Sequence, residues 1–277
     1  MTETRTYPHG VPSWVDTSQP DPDAAQDFYR RLFGWEFTTV SPPDASFYAI
    51  AGLGGRDAAG LETADGQSAA WNTYVAVDDA DVTAARAVAD GGEILAGPLE
   101  PGPAGRMAIC RDPAGAVFRL WQAGRRPGAQ VVNEPGCWNF SDLHTDRLDT
   151  LGFYRDLFGW SVDDLGFATL LRVTGYGDHL EATVDPGIRA RQRDAAGGAV
   201  APVGFEDAVG WVGPLEPGTR PHWHVTFAVA DRDAAVSAAD RLGAEVLSRE
   251  DTRWTRTALI RDPQGAVFTA SQFTPPT

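Results

Sequence analysis

FYRRLFGW, residues 28–35, returns as FYRDLFGW at residues 153–160. Seven of the eight positions agree, including both Phe, the Tyr, the Leu and the Trp. A match of that quality marks an internal duplication. The copies lie 153 − 28 = 125 residues apart in a chain of 277, a spacing that fits two modest domains better than one large one. A second pair, RDPAGAVF at 111–118 and RDPQGAVF at 261–268, also agrees at seven of eight positions.

Working outward from each octapeptide gives a recurring unit. Residues 11–18 (VPSWVDTS) read as a strand and residues 19–23 as a polar turn. Ala24, Phe28, Leu32 and Phe33 then recur at three- and four-residue spacing on one face of a helix, which Gly34 closes. Short strands over 35–40, 46–51 and 58–62 complete a β-α-β-β-β unit. A second unit has a strand at 71–77, a helix at 80–89 and strands at 93–95, 106–111 and 116–121. A third starts at Cys137, with its helix at 148–158 and strands to about 182; a fourth starts at His222, with its helix at 234–242. The two Asp-Pro-x-Gly sequences are tight hairpin turns. Asp78, Asp79, Asp146 and Asp231 stand where a carboxylate caps a helix N-terminus.

The expected fold is therefore α+β, with a first domain over 8–123 (units 8–65 and 69–123), a linker over 124–134 and a second domain over 135–274 (units 135–184 and 221–274). Trp71 and Trp223 lie 223 − 71 = 152 residues apart, so the second half has gained 152 − 125 = 27 residues. The gain is assigned to an inserted loop over 185–220 that carries Arg189, Arg191, Arg193, a Gly-Gly pair, Phe205 and Trp211. A long loop with its own aromatics fits an active-site lid and fits equally a decorative or subunit-contacting insertion.

Composition narrows the chemistry. All 23 basic side chains are Arg, which excludes Schiff-base, lysine-base and Walker-type phosphate chemistry. The net charge is 23 − 38 = −15, and no basic cluster interleaved with aromatics offers a nucleic-acid surface. No apolar run reaches the eighteen or so residues that span a bilayer, and the polar start MTETRTYPHG is unlike a signal peptide, so a cytoplasmic protein is expected. Cys110 and Cys137 lack the CxxC spacing of metal or redox pairs.

Four β-α-β-β-β units, FYxxLFGW on the first helix of each half and DPxGAVF on the last hairpin together resemble the vicinal oxygen chelate superfamily, the glyoxalase, bleomycin-resistance and extradiol-dioxygenase group. The resemblance implies two tandem glyoxalase-like domains of paired modules, each a curved mixed sheet with helices outside and a small organic ligand enclosed. It also implies metal ligands, where a member has them, on the first and last strands of units.

Period-two alternation selects candidates on those strands. It places Trp14 and Asp16, Asn72 and Tyr74, Asn139 and Ser141, and His224 and Thr226 toward the ligand, with Arg119 and Thr269 at the last-strand positions and Trp121 beyond Arg119. Aligning GLE with HLE adds Glu62 and Glu181. Trp14, Tyr74 and Trp121 would form an aromatic wall for flat ligands. His224 and Glu181 are the candidate proton-handling pair. Asn139, His224 and Thr269 make a poor metal triad, whereas His224 and Glu181 with His179 or His144 would be the alternative donor set. The expected function is metal-independent binding, for sequestration or conversion, of a planar or cationic specialised metabolite by a monomer or homodimer. The competing expectation is a lyase, isomerase or oxygenase that uses Zn, Fe, Mn, Ni or Co.

Overall fold

The computed structural model describes residues 4–64, 66, 68–166, 168–195 and 204–274. The four modules are present. The first is β1 (Pro12–Gln19), α1 (Pro22–Phe33), β2 (Glu36–Thr39), β3 (Tyr48–Leu53) and β4 (Arg56–Thr63); the second is β5 (Ala70–Ala76), α2 (Ala80–Ala89), β6 (Glu93–Leu99), β7 (Gly105–Arg111) and β8 (Val117–Ala123). The third has β9 (Trp138–His144), α3 (Leu151–Phe158), β10 (Ser161–Asp164), β11 (Thr169–Arg172), α4 (Tyr176–Ala182), α5 (Ile188–Ala195) and β12 (Ala208–Gly213). The fourth has β13 (His222–Ala228), α6 (Arg232–Arg241), β14 (Glu245–Asp251), β15 (Thr255–Arg261) and β16 (Val267–Phe273).

Two eight-stranded mixed sheets result, ordered β2-β3-β4-β1-β5-β8-β7-β6 and β10-β11-β12-β9-β13-β16-β15-β14. In every module the first and last strands pair in parallel. The helix signals act as read: Asp21, Asp79 and Asp231 each accept an amide two or three residues into a helix, and Gly34 and Gly159 close α1 and α3 in the left-handed conformation at φ 78° and 72°. Asp146 does not cap α3, whose N-terminus is reached through a 3₁₀ turn over Leu148–Thr150.

The chain forms two compact units. One contains residues up to Ser13, Thr73–Gly128 and Ser141–Trp223, and so joins the second and third modules; the other contains Trp14–Asn72, Ala129–Phe140 and residues from His224, and so joins the first and fourth. Within the latter, Phe33, Trp35, Trp71, Phe227 and Phe268 pack at centroid distances of 4.8 to 6.3 Å. The Tyr29 hydroxyl donates to Asp262 of the RDPQG turn at 2.7 Å. Within the former, Phe118 meets Phe153, Tyr154 and Phe158, and the Tyr154 hydroxyl donates to Asp112 of the RDPAG turn at 2.9 Å. Each octapeptide helix is thus locked to the hairpin of the opposite half.

Two boundaries differ from the sequence reading. Residues 124–134, expected as a linker, are docked: the Gln130 and Val131 amides donate to the Asp57 carbonyl at 2.6 and 3.2 Å, and Ala129 and Val131 are buried. The insertion falls inside the third module, between β11 and β12, because β12 supplies the parallel neighbour of β9. The HLE sequence that seemed to end a strand is instead part of α4, so Glu181 is not the counterpart of Glu62. The Gly-Gly pair and the side chain of Arg193 lie outside the described residues.

Candidate functional site

Strand register fixes which residues share a position in the two halves. The Ala76 amide donates to the Val11 carbonyl at 2.8 Å, and the Ala228 amide to the Cys137 carbonyl at 2.9 Å. The first strands are therefore offset by 137 − 11 = 126 residues, one more than the octapeptides. Asp16 consequently corresponds to Asp142 and Trp14 to Phe140, so the alternation on β9 is shifted by one from the sequence reading. Ser141 is fully buried on the core face and meets the Thr73 hydroxyl at 2.8 Å. Asn139, near the start of β9, donates to Asn133 at 2.9 Å.

In the first module the polar residues are locked into one chain of hydrogen bonds. Trp14 Nε1 donates to the Tyr48 hydroxyl (2.9 Å), which donates to Asp16 Oδ2 (3.0 Å). Asn72 Nδ2 lies 2.9 Å from both Asp16 Oδ1 and Ser18 Oγ, and Ser18 donates to Glu62 Oε1 at 2.6 Å. Asp16 is fully buried. Gly60, paired with Asp16, leaves the room for this: a Cβ there would lie 2.2 Å from the Tyr48 oxygen. In the second module Arg119 donates to the Tyr74 hydroxyl at 2.6 Å with its guanidinium 5.2 Å from that ring, and Trp121 stands edge-on to Tyr74.

The equivalent positions of the third module carry different side chains. Gly213 pairs with His144 where Glu62 pairs with Ser18. One register step beyond the Thr169–Val212 pair, Ala168 stands where Tyr48 stands. Without that phenol, half-buried Asp142 has, among the described residues, one hydrogen-bond partner, the Trp211 amide at 3.1 Å. Burial pushes its carboxyl up to about 7, and the amide offsets this only in part. On the same strand face, His144 stacks on His222 at 5.0 Å and 27°. Burial, and secondarily His222, push the His144 imidazole down to about 4, so it is neutral at pH 7. A Cβ on Gly213 would lie 2.8 Å from His144 Nε2, so glycine is what admits the ring. Phe205 lies against Trp211 with ring centroids 5.9 Å apart.

The remaining candidates fall elsewhere. His224 Nε2 meets the Thr269 hydroxyl at 2.8 Å, and Thr226 and Thr269 are register partners on β13 and β16. Glu181 and His179 lie on α4, where Glu181 pairs with Arg189 and His179 Nε2 lies 3.1 Å from the Thr6 carbonyl. Burial pushes the Cys110 thiol up to about 12 and the Cys137 thiol up to about 11, which makes both poor nucleophiles. Asp142, His144 and Trp211 were missed as a group because the strand was aligned on the helix offset. The signal was present in the shared aspartate of VDTS and SDLH, which aligns only at 126.

Residues 13–120 match the family described as the Glyoxalase/Bleomycin resistance protein/Dioxygenase superfamily, and residues 140–271 match a Glyoxalase-like domain. The chain is 34% identical over 277 residues to "Putative glyoxylase CFP32" of Mycobacterium tuberculosis, covering 97% of each. It is 34% identical over 283 residues to "Anthracycline biosynthesis protein DnrV" of Streptomyces peucetius, covering 96% of this chain and 94% of that one. Among solved structures it resembles the Mn(II)-bound glyoxalase from Novosphingobium aromaticivorans, at a TM-score of 0.59 and 16% identity over 99% of this chain and 85% of that one. It also resembles a catechol 2,3-dioxygenase at 0.57 and 12%, over 100% and 90%. At these identities the structural likeness is one of fold.

Proposed function

Because the chain belongs to the glyoxalase/bleomycin resistance protein/dioxygenase superfamily, we propose that it binds a flat, carbonyl-bearing metabolite beside Trp211 and exchanges a proton with it through Asp142, without a metal. The observation that carries this is the release of Asp142 from the network that locks Asp16, leaving its carboxyl poised at about 7. A group titrating near the working pH both takes and returns a proton efficiently. The ligand class draws on relatives named for anthracycline biosynthesis, a name that points to fused-ring metabolites, and on the Phe205–Trp211 pair as a stacking surface.

A divalent metal is implied by the superfamily, and the donor chemistry argues against one here. The first-half positions offer the indole of Trp14, the amide of Asn72 and the guanidinium of Arg119, while Glu62 accepts the Ser18 hydroxyl. In the second half Gly213 replaces the carboxylate, and His224 is engaged by Thr269. Among the described residues no group of three His, Cys, Asp or Glu side chains is placed to hold a metal ion. Catalytic sites normally supply three protein ligands.

Ionised Asp142 would take a proton from an acidic C–H next to the ligand carbonyl, becoming a carboxylic acid and leaving an enolate. Returning that proton to another atom of the enolate completes an isomerisation. Neutral His144 beside it contributes hydrogen bonding without adding charge. The test is a thermal-shift screen of hydroxyanthraquinones in excess chelator, on wild type and Asp142→Asn. Several degrees of stabilisation are expected for both proteins, since the amide keeps the shape of the site and loses only the proton exchange. Stabilisation that needs added metal would refute the metal-free reading.

A further inference from the structure

Three carboxylates converge on one guanidinium in the insertion. Arg189, on α5, donates Nη2 to Asp178 at 2.6 Å and Nε to Glu206 at 3.1 Å, and it also binds Glu181. Asp178 and Glu181 belong to α4, whereas Glu206 belongs to the Phe205–Asp207 turn that leads into β12. One cation thus holds together three groups that would otherwise repel. A second tie joins the same two elements: the Asp207 carboxylate accepts the Gly175 and Gly177 amides, at 3.2 and 2.7 Å, where α4 begins. The approach is close, since a Cβ on Gly177 would lie 2.3 Å from Glu206 Cγ.

Phe205 sits in that turn, half-buried, immediately before the Glu206 and Asp207 anchors. A short turn has few contacts of its own to orient a ring. The ties to α4 therefore decide where Phe205 lies, and they set it 5.9 Å from Trp211, whose amide holds Asp142.

We propose that Arg189 is a positioning residue for ligand selection: by fastening the Phe205–Asp207 turn to α4 it presents Phe205 and Trp211 as a paired surface that favours fused-ring ligands over single-ring ones. The selection half rests on the ligand reading above; the fastening half does not. The two rings are inclined at 41°, so a fused-ring ligand stacked on one reaches the other with its far edge while a single ring touches only one, and displacing Phe205 should cost the former roughly tenfold in affinity and the latter little.

Arg189→Met keeps the length of the side chain and deletes its charge. With 4-fluorophenylalanine at position 205, wild type should give one fluorine resonance displaced from that of the denatured chain. In Arg189→Met, and in wild type at about 1 M salt, the resonance should move toward the denatured value. Affinities are then measured for 1,4-dihydroxyanthraquinone and for salicylaldehyde, which carries the same hydroxyl-beside-carbonyl group on one ring. The expected result is about a tenfold loss for the first in Arg189→Met and less than twofold for the second, at unchanged circular dichroism. An unmoved fluorine resonance overturns the fastening. Equal losses for the two compounds overturn the selection. If wild type takes up neither compound, the ligand reading and the selection fail together, while the fluorine resonance still decides the fastening by itself.

Discussion

Replacing either duplicated tyrosine with phenylalanine removes a single oxygen, yet the two losses should differ. Tyr29 and Tyr154 hold the same place in the octapeptide, and each donates to the aspartate of an Asp-Pro-x-Gly turn. In Tyr29→Phe, Asp262 Oδ2 keeps the Gln19 amide at 2.7 Å, and the buried Trp71 Nε1, whose contact with the phenol falls short of a well-formed hydrogen bond, loses little. In Tyr154→Phe, Asp112 Oδ2 loses the phenol and Trp223 Nε1, which donates to that phenol at 3.0 Å, loses its acceptor. A hydrogen bond to a charged group contributes about 1.5–3 kcal/mol, and a buried donor left unpaired costs about 1–3 kcal/mol. Tyr29→Phe should therefore cost about 1.5 kcal/mol and Tyr154→Phe about 3–4 kcal/mol. Urea unfolding at pH 7 reads both as midpoint shifts at constant slope.

The pH dependence adds a check. Burial raises the Asp112 carboxyl above its ordinary value, while the Tyr154 bond and backbone amides pull it back, so losing the phenol raises it further. A group raised in the folded state contributes stability that is present below its unfolded pKa and lost as pH rises through the folded one. The Tyr154→Phe deficit should therefore shrink on acidification toward pH 4. Equal losses for the two variants, or the larger loss in Tyr29→Phe, would refute the reasoning.

Other outcomes follow from the candidate site. Asp142, raised to about 7, contributes stability that is lost as pH rises from about 4 through 7. His144, lowered to about 4, contributes stability that is present above about 6.5 and lost as pH falls through 4. The two slopes oppose each other, so melting temperature should steepen its fall toward low pH in Asp142→Asn and steepen its fall toward pH 7 in His144→Asn, as scanning calorimetry would show. Gly60→Ala would set a Cβ 2.2 Å from the Tyr48 oxygen and 2.9 Å from Asp16 Cβ, and should cost about 1–3 kcal/mol in chemical denaturation. Gly213→Ala should instead swing the His144 ring aside and weaken ligand binding, measured by calorimetric titration, more than it affects stability. Prolonged chelation should leave melting temperature and ligand affinity unchanged, because the donor set lacks three convergent ligands among the described residues.

Much of the fold was legible because duplication and periodicity are properties of sequence. The octapeptides bury Phe28, Tyr29 and Phe33 in one half and Phe153, Tyr154 and Phe158 in the other, as their helical spacing implies. The alternation on β13 sorted Trp223, Val225 and Phe227 onto the core face, where all three are buried. The pairing of helices with opposite-half hairpins was not legible, since the two hairpin sequences differ only at Ala114 and Gln264 and tertiary packing decides the partner. The face of β9 was missed for a related reason. Strand faces alternate every residue, so an error of one in the offset, invisible on a helix, exchanges Ser141 for Asp142. Glu181 misled because two matching letters, the Leu-Glu of GLE and HLE, were read as a strand end in a segment that α4 organises around Arg189.

The most direct test of Asp142 as the proton-exchanging group is solvent deuterium incorporation into 2-tetralone, a bicyclic ketone with acidic C–H bonds, followed by proton NMR in excess chelator at pH 7. Exchange above the buffer rate by wild type, reduced to that rate in Asp142→Asn with tetralone affinity intact, is the predicted result. Exchange that persists in Asp142→Asn, that stops when chelator is added to wild type, or that wild type never shows would contradict the account.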